Sequence, residues 1–205
     1  MPLPTPHYNL SNHQDVYEPS EDTFLFLDAL EKETEFINKK QPLFACEVGS
    51  GSGILITGLA NLLANPCMCF STDINISACQ ATQYTAQLNN KTVEVIATNL
   101  FDGLTCDFDI ILFNPPYVIT NENEVVGRGI NRAYAGGELG RQITDRFIEK
   151  LPKVLSKNGV CYLLLLKENN VTEIEKMLTK LGFKSEIVLE RKIPGEYLYV
   201  YKIYR

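Results

Sequence analysis

The chain has 205 residues, 45% of them hydrophobic and 21% charged, with a formal net charge of −6 from 19 basic and 25 acidic side chains. That composition excludes intrinsic disorder and low-complexity or collagen-like sequence, and no apolar run reaches the roughly 18 residues a membrane span requires. The acidic balance argues against generic attraction to nucleic acid phosphates, and the length suits a single domain with a sizeable core.

Residues 1–15 open with Met1-Pro2-Leu3-Pro4-Thr5-Pro6-His7, polar and proline-rich, without the basic start and apolar stretch of a signal peptide. A flexible lead-in is expected there, followed by one domain over 16–205. Ser20 is placed as the N-cap of a helix through Phe24-Leu25-Phe26-Leu27, with Glu21 and Asp22 in the first turn, where the helix dipole favours acids. From Leu43 onward short apolar runs alternate with helical stretches. Strands are expected at 43–48, 67–72, 92–97, 108–113, 160–166, 185–190 and 197–203, and helices near 54–64, 75–89, 138–156 and 170–181. This alternation predicts an α/β fold: a mostly parallel sheet with helices on both faces. The last two strands follow each other through Arg191–Glu196 with no helix between them, so they form a hairpin and one strand runs antiparallel. Residues 118–137 have no clean period and hold four glycines. A loop of about 20 residues inside a compact domain is expected to be functional when it directly follows a strand, as this one does.

The six cysteines, Cys46, Cys67, Cys69, Cys79, Cys106 and Cys161, make no CxxC pair, and only His7 and His13 could join them. No metal site is expected. Most of these cysteines lie in apolar runs and read as reduced core thiols, which suits a cytoplasmic chain with a nuclear pool allowed.

Glu47-Val48-Gly49-Ser50-Gly51-Ser52-Gly53 ends the first strand and opens a helix. Glycines there let the backbone approach a ligand without a Cβ clash. Asp73 ends the second strand, where a carboxylate can accept from ribose hydroxyls. A dinucleotide site would want GxGxxG; here the spacing is GxGxG, with an acid two residues before the first glycine. The variant resembles the S-adenosylmethionine loop of class I methyltransferases, and Glu47 would then face the sulfonium and amino-acid end of that cofactor. Asn114-Pro115-Pro116-Tyr117 ends the fourth strand. A planar amide or aryl amine nitrogen has a delocalised lone pair and attacks a methyl group poorly, so a site must orient it and accept its two N–H bonds. The Asn114 side-chain carbonyl and the Pro115 backbone carbonyl can be those acceptors. The prolines stiffen the turn and remove competing donors, and Tyr117 offers a flat face to a planar group.

NPPY is similar to the motif of amino-methyltransferases acting on adenine, cytosine, guanine or glutamine nitrogen. The run Val16–Leu30, the EVGSGSG loop, NPPYV, Ala133-Tyr134-Ala135-Gly136-Gly137 with Gly140-Arg141, and Lys167-Glu168-Asn169-Asn170 together resemble the catalytic subunit of the eukaryotic release-factor glutamine methyltransferases, related to bacterial HemK-type enzymes. The resemblance runs from about Val16 to the C-terminus. It implies a Rossmann-like class I methyltransferase fold with a seven-stranded sheet, with S-adenosyl-L-methionine as cofactor and S-adenosyl-L-homocysteine as product. The implied substrate is the glutamine of the Gly-Gly-Gln motif in the class 1 termination factor, alone or bound to its GTPase partner. By the same resemblance Tyr17 and Thr23 line the cofactor site, Gly49, Gly51 and Gly53 form its loop, and Asp73 holds the ribose. Asn99 and Leu100 would meet the adenine, and Asn114 with Pro115, Pro116, Tyr117, Gly136 and Gly137 the substrate. Relatives usually have Asp where this chain has Asn99, a neutral amide that can still accept from the adenine amino group.

Only about 40 residues precede the first strand, and the 118–137 loop with Arg128 and Arg132 is the segment left to recognise a large substrate. The family fills that gap with a small zinc-binding activator, an obligate heterodimer partner, and the 92–97 strand is expected at the open edge of the sheet, available to pair with it. Two rival acceptors keep the reaction: a protein lysine, which needs a base that NPPY does not supply, and an adenine N6, which needs a basic groove. A non-catalytic binding subunit fits poorly with two intact motifs.

Overall fold

The computed structural model describes residues 4–120 and 131–205. Arg128 lies outside the described residues, as does the side chain of Arg132. Strands β1 (Phe44–Val48), β2 (Met68–Asp73), β3 (Glu94–Ala97), β4 (Phe108–Phe113), β5 (Leu155–Leu166), β6 (Lys184–Ile193) and β7 (Glu196–Tyr204) form one seven-stranded sheet in the order β3-β2-β1-β4-β5-β7-β6. The first five strands pair in parallel, and β7 runs antiparallel between β5 and β6. The expected fold class, hairpin and open β3 edge are all present.

Alternation along each strand feeds two cores. In β4, Ile110 and Leu112 pack with α1 (Glu21–Lys32), α2 (Thr34–Lys40) and α3 (Ile54–Leu62), whereas Ile111 and Phe113 face α6 (Gln142–Val154) and α7 (Val171–Lys180). Burial of both faces is why these strands read as continuous apolar runs. Helix α4 (Ile76–Leu88) joins the first face through Ala86. The short α5 (Asn131–Tyr134) precedes the glycine pair 136–137.

Three local readings change. Ser20 sits at the N-cap of α1, but its side chain makes no capping hydrogen bond. The α2 helix was not expected, and β5 begins at Leu155 rather than at 160, the preceding helix stopping at Val154. Ser156-Lys157-Asn158-Gly159 looks like a turn in sequence. In the fold Leu155 pairs with Phe108 across an irregularity in the ladder, so the polar stretch extends the strand. Before α1, the chain lies along α4. His7 N–H donates to Asn89 Oδ1 at 3.0 Å and Asn89 Nδ2 returns a bond to the His7 carbonyl at 2.7 Å. Leu10 and Val16 pack against Ala78 and Ala81.

The chain moves outward from β1 to β3 and then returns to β4 beside β1. The order therefore reverses between β1 and β4, and in such sheets the crevice at the carboxyl ends of the reversing strands is the binding position.

Candidate active site at the carboxyl ends of β1, β2 and β4

A cavity of about 700 Å³ opens at that crevice. Its walls include Tyr17, Thr23, Glu47, Gly49, Gly51, Asp73, Asn99, Leu100, Asn114, Pro115, Pro116 and Tyr117, so residues as distant in sequence as Tyr17 and Tyr117 converge on one space of ligand size. Gly53, Gly136 and Gly137 are not part of the wall. Gly53 has φ of +76° at the N-cap of α3, and a Cβ there would lie 2.6 Å from the Thr82 Cα; it lets α3 pack on α4 rather than meeting a ligand. The 136–137 pair stands behind the wall, where Gly136 N–H donates to the Val118 carbonyl at 2.8 Å.

The glycine loop is held from below. Gly49 N–H donates to the Thr72 carbonyl at 2.7 Å and Gly53 N–H to the Ser50 carbonyl at 2.7 Å. Asp73 Oδ2 accepts from Gly51 N–H at 3.0 Å, and Oδ1 accepts from Asn75 N–H at 2.8 Å. The strand-end acid thus shapes the loop as well as facing the cavity. Leu100 is buried with φ of +54°, which turns the chain back beneath the cavity just after β3.

Glu47 does something its sequence position did not announce. It is 2% exposed, and Oε2 accepts from Ile56 N–H at 2.9 Å, satisfying an orphan donor in the first turn of α3. Burial pushes its carboxyl well above the ordinary value of 4.5; the Ile56 bond works against that and the nearby Asp73 charge reinforces it. A raised carboxyl holds its proton to higher pH in the folded chain than in the unfolded one. Between the ordinary and the raised value, stability falls as pH rises. Glu47→Gln keeps an acceptor for Ile56 and abolishes that titration. Its thermal midpoint is expected to fall less than the wild type's as pH rises above the ordinary carboxylate range. Equal slopes would show Glu47 to be ionised in the folded chain.

Asn114 carries the acceptor chemistry. Its Nδ2 donates to Asp22 Oδ2 at 2.9 Å. With its nitrogen turned toward Asp22, the amide carries its oxygen on the other side. That Oδ1 is buried and has no hydrogen-bond partner; the other such atoms among the described residues are the hydroxyls of Thr57, Ser71, Thr72 and Thr85. An acceptor left unpaired away from water costs about 1–3 kcal/mol, recovered when a donor arrives. Asp22 is 4% exposed and also lines the cavity. In sequence it looked like a first-turn acid and nothing more. Replacing it with Ala should leave the Asn114 amide free to rotate and lower turnover by about 10- to 100-fold, since a charge-assisted bond of about 1.5–3 kcal/mol is lost. Steady-state kinetics on Asp22→Ala check this, and an unchanged kcat would remove Asp22 from the site.

Tyr117 closes the acceptor side. Its hydroxyl donates to Glu196 Oε2 at 3.4 Å. Burial, with Asp22 and Glu196 close by, holds the phenol far above its ordinary range, so it stays a neutral donor. Glu196, at the start of β7, is raised mainly by burial and was also not foreseen. Arg146, on α6, is an exposed cation on the cavity wall. Among the described residues no group of three His, Cys, Asp or Glu side chains could hold a metal ion.

The family described as Methyltransferase small domain matches residues 20–193. The chain is 40% identical over 200 residues to human Methyltransferase HEMK2, covering 96% of this chain and 92% of that one. It is 37% identical over 218 residues to the eRF1 methyltransferase catalytic subunit mtq2 of Schizosaccharomyces pombe, covering 98% and 94%. Among solved structures, the E. cuniculi Mtq2–Trm112 complex, described as responsible for methylation of the eRF1 translation termination factor, superposes with a TM-score of 0.73 at 28% identity, covering 93% of this chain and 99% of that one.

Proposed function

The chain belongs to the methyltransferase small-domain family, and from that premise we propose that it N5-methylates the glutamine of the Gly-Gly-Gln motif in the class 1 release factor, with S-adenosyl-L-methionine as donor. The observation that carries the proposal is the orphaned Asn114 Oδ1, fixed by Asp22 at the edge of a cavity that also holds the Pro115 backbone. Two acceptors suit a planar NH₂ group, which has two N–H bonds to give.

The cofactor fits the residues present. Asp73 at the β2 end would accept from ribose hydroxyls, Gly49 and Gly51 would leave backbone room for the methionine portion, and Asn99 and Leu100 would bound the adenine end; all five line the cavity. When bound, S-adenosylmethionine supplies an electrophilic methyl group. Everything else is done by the chain. Asn114 and Pro115 accept the two amide N–H bonds and hold the nitrogen in one orientation, which can supply up to about 7–11 kcal/mol of the barrier. Tyr117 packs beside the planar amide and keeps water out. The proton leaves after the nitrogen has become cationic, so no strong base is required.

The β3 edge is open in the sheet order, and Val95 and Ile96 on it are half-buried. A small activator subunit, zinc-binding in this family by the resemblance above, is the proposed partner for that edge, as the relative from E. cuniculi is found with Trm112. The proposed site of action follows the substrate: cytoplasmic, with a nuclear pool allowed. Mass spectrometry of the release factor after incubation with the chain, with and without the activator, tests the proposal. One methyl on the Gly-Gly-Gln glutamine is expected; a methyl on lysine alone, or on a nucleic acid adenine, would overturn it.

A further inference from the structure

Asn169 ends the 3₁₀ turn Lys167–Asn169 that follows β5. It does not line the cavity, yet it is 1% exposed and every strong hydrogen-bonding group of its amide is used. Oδ1 accepts from Leu166 N–H at 3.1 Å. Nδ2 donates to the Tyr117 carbonyl at 3.0 Å and to the Leu139 carbonyl at 3.3 Å. One side chain therefore ties together three segments far apart in sequence: the end of β5, the last residue of NPPY, and the loop that carries the glycines 136, 137 and 140.

The same junction forbids a side chain at Gly140. Its φ is +63°, and a Cβ there would collide with the Tyr117 carbonyl oxygen and with Asn169 Nδ2. The loop is in turn laced to the chain leaving NPPY. Val118 N–H donates to the Tyr134 carbonyl at 2.9 Å and Thr120 N–H to the Gly137 carbonyl at 3.0 Å. Tyr117 is thus held at both ends, its ring hydroxyl by Glu196 and its carbonyl by Asn169.

We propose that Asn169 is a positioning residue for methyl transfer: by fixing the Tyr117 carbonyl and the Gly140 loop, it keeps the NPPY turn in the one shape that presents Asn114 Oδ1 and the Pro115 carbonyl to the acceptor together. The inference rests on the amide-acceptor reading above. A nitrogen that must give two N–H bonds at once is sensitive to the spacing of the two acceptors, and a misplacement of about 1 Å can cost on the order of 100-fold in rate. The cofactor loop is tied to β2 and α4 instead, so its affinity should be independent of Asn169.

The test uses the chain co-expressed with its activator and compares Asn169→Ala and Asn169→Asp with wild type. Gly140→Ala attacks the junction from the other side. Leu178→Ala, a truncation of a fully buried residue of α7 away from the cavity, controls for lost stability. In both Asn169 variants and in Gly140→Ala, kcat for the release factor is expected to fall at least about tenfold, with affinity for S-adenosylhomocysteine within about twofold of wild type. Amide hydrogen exchange should rise at residues 117–120 and 136–140 while β1 and β4 stay protected. Leu178→Ala should keep its kcat at a temperature below its melting point. A kcat in Asn169→Ala within about twofold of wild type, a loss that Leu178→Ala shares at equal stability, or unchanged exchange at the two segments would each overturn the positioning role. Failure of the wild-type complex to methylate the factor would instead sink the glutamine reading.

Discussion

Asn114→Ala is expected to lower kcat on the release factor by about 10²–10³-fold while leaving the affinity for S-adenosylhomocysteine and the fold nearly intact. The magnitude follows from the position of the atom removed. Oδ1 has no partner in the protein, and Nδ2 is spent on Asp22, so the amide is organised for something that arrives from outside. Truncation deletes one of two acceptors for the substrate NH₂ and leaves the Asp22 carboxyl without its donor. The glycine loop is held instead by hydrogen bonds to Thr72, Asp73 and Thr82. Single-turnover kinetics with calorimetry on the purified variant check this. Wild-type turnover, or a loss confined to cofactor affinity, would move the acceptor chemistry elsewhere.

Asp73→Ala should weaken binding of S-adenosylhomocysteine by at least tenfold, and by up to about 100-fold, because two effects add. The ribose hydroxyls lose a charged acceptor, and Gly51 N–H loses the carboxyl oxygen that holds the loop 3.0 Å away. Asp73→Asn is intermediate: its single amide oxygen can take the Gly51 or the Asn75 bond but not both, so its loss of affinity should fall between wild type and the Ala variant. Calorimetry decides. Unchanged affinity in the Ala variant would mean that the ribose is held by another group.

The elements that sequence located well are those whose constraints are local. Gly49 and Gly51 both adopt positive φ in a turn between β1 and α3, and that demand is written directly into the GxGxG spacing. Asn114-Pro115-Pro116 ends β4 because two prolines cannot continue a ladder, and the β6–β7 hairpin turns at Pro194-Gly195 with Gly195 at φ +86°. Most strand centres were equally legible, since burial on both faces leaves an unbroken apolar run. The β5 extension was hidden because Ser156-Lys157-Asn158-Gly159 has turn composition, and only pairing of Leu155 with Phe108 makes it strand.

What the tertiary structure alone decided is how each chemical group is oriented. Asp22 and Asn114 are 92 residues apart, and no period or spacing relates them. The packing of α1 against the β-sheet brings the carboxyl to the amide and thereby chooses which end of Asn114 is left for a substrate. Glu47 was legible as an acid beside a glycine loop, but that it also holds the first turn of α3 from the cavity wall is decided by packing. Asn169 reads as one polar residue in a polar tetrapeptide until β5 delivers it beneath the Tyr117 carbonyl. Motif identity is a property of a few consecutive residues; hydrogen-bond direction depends on which distant segment arrives to receive the bond, and that is settled only when the core closes.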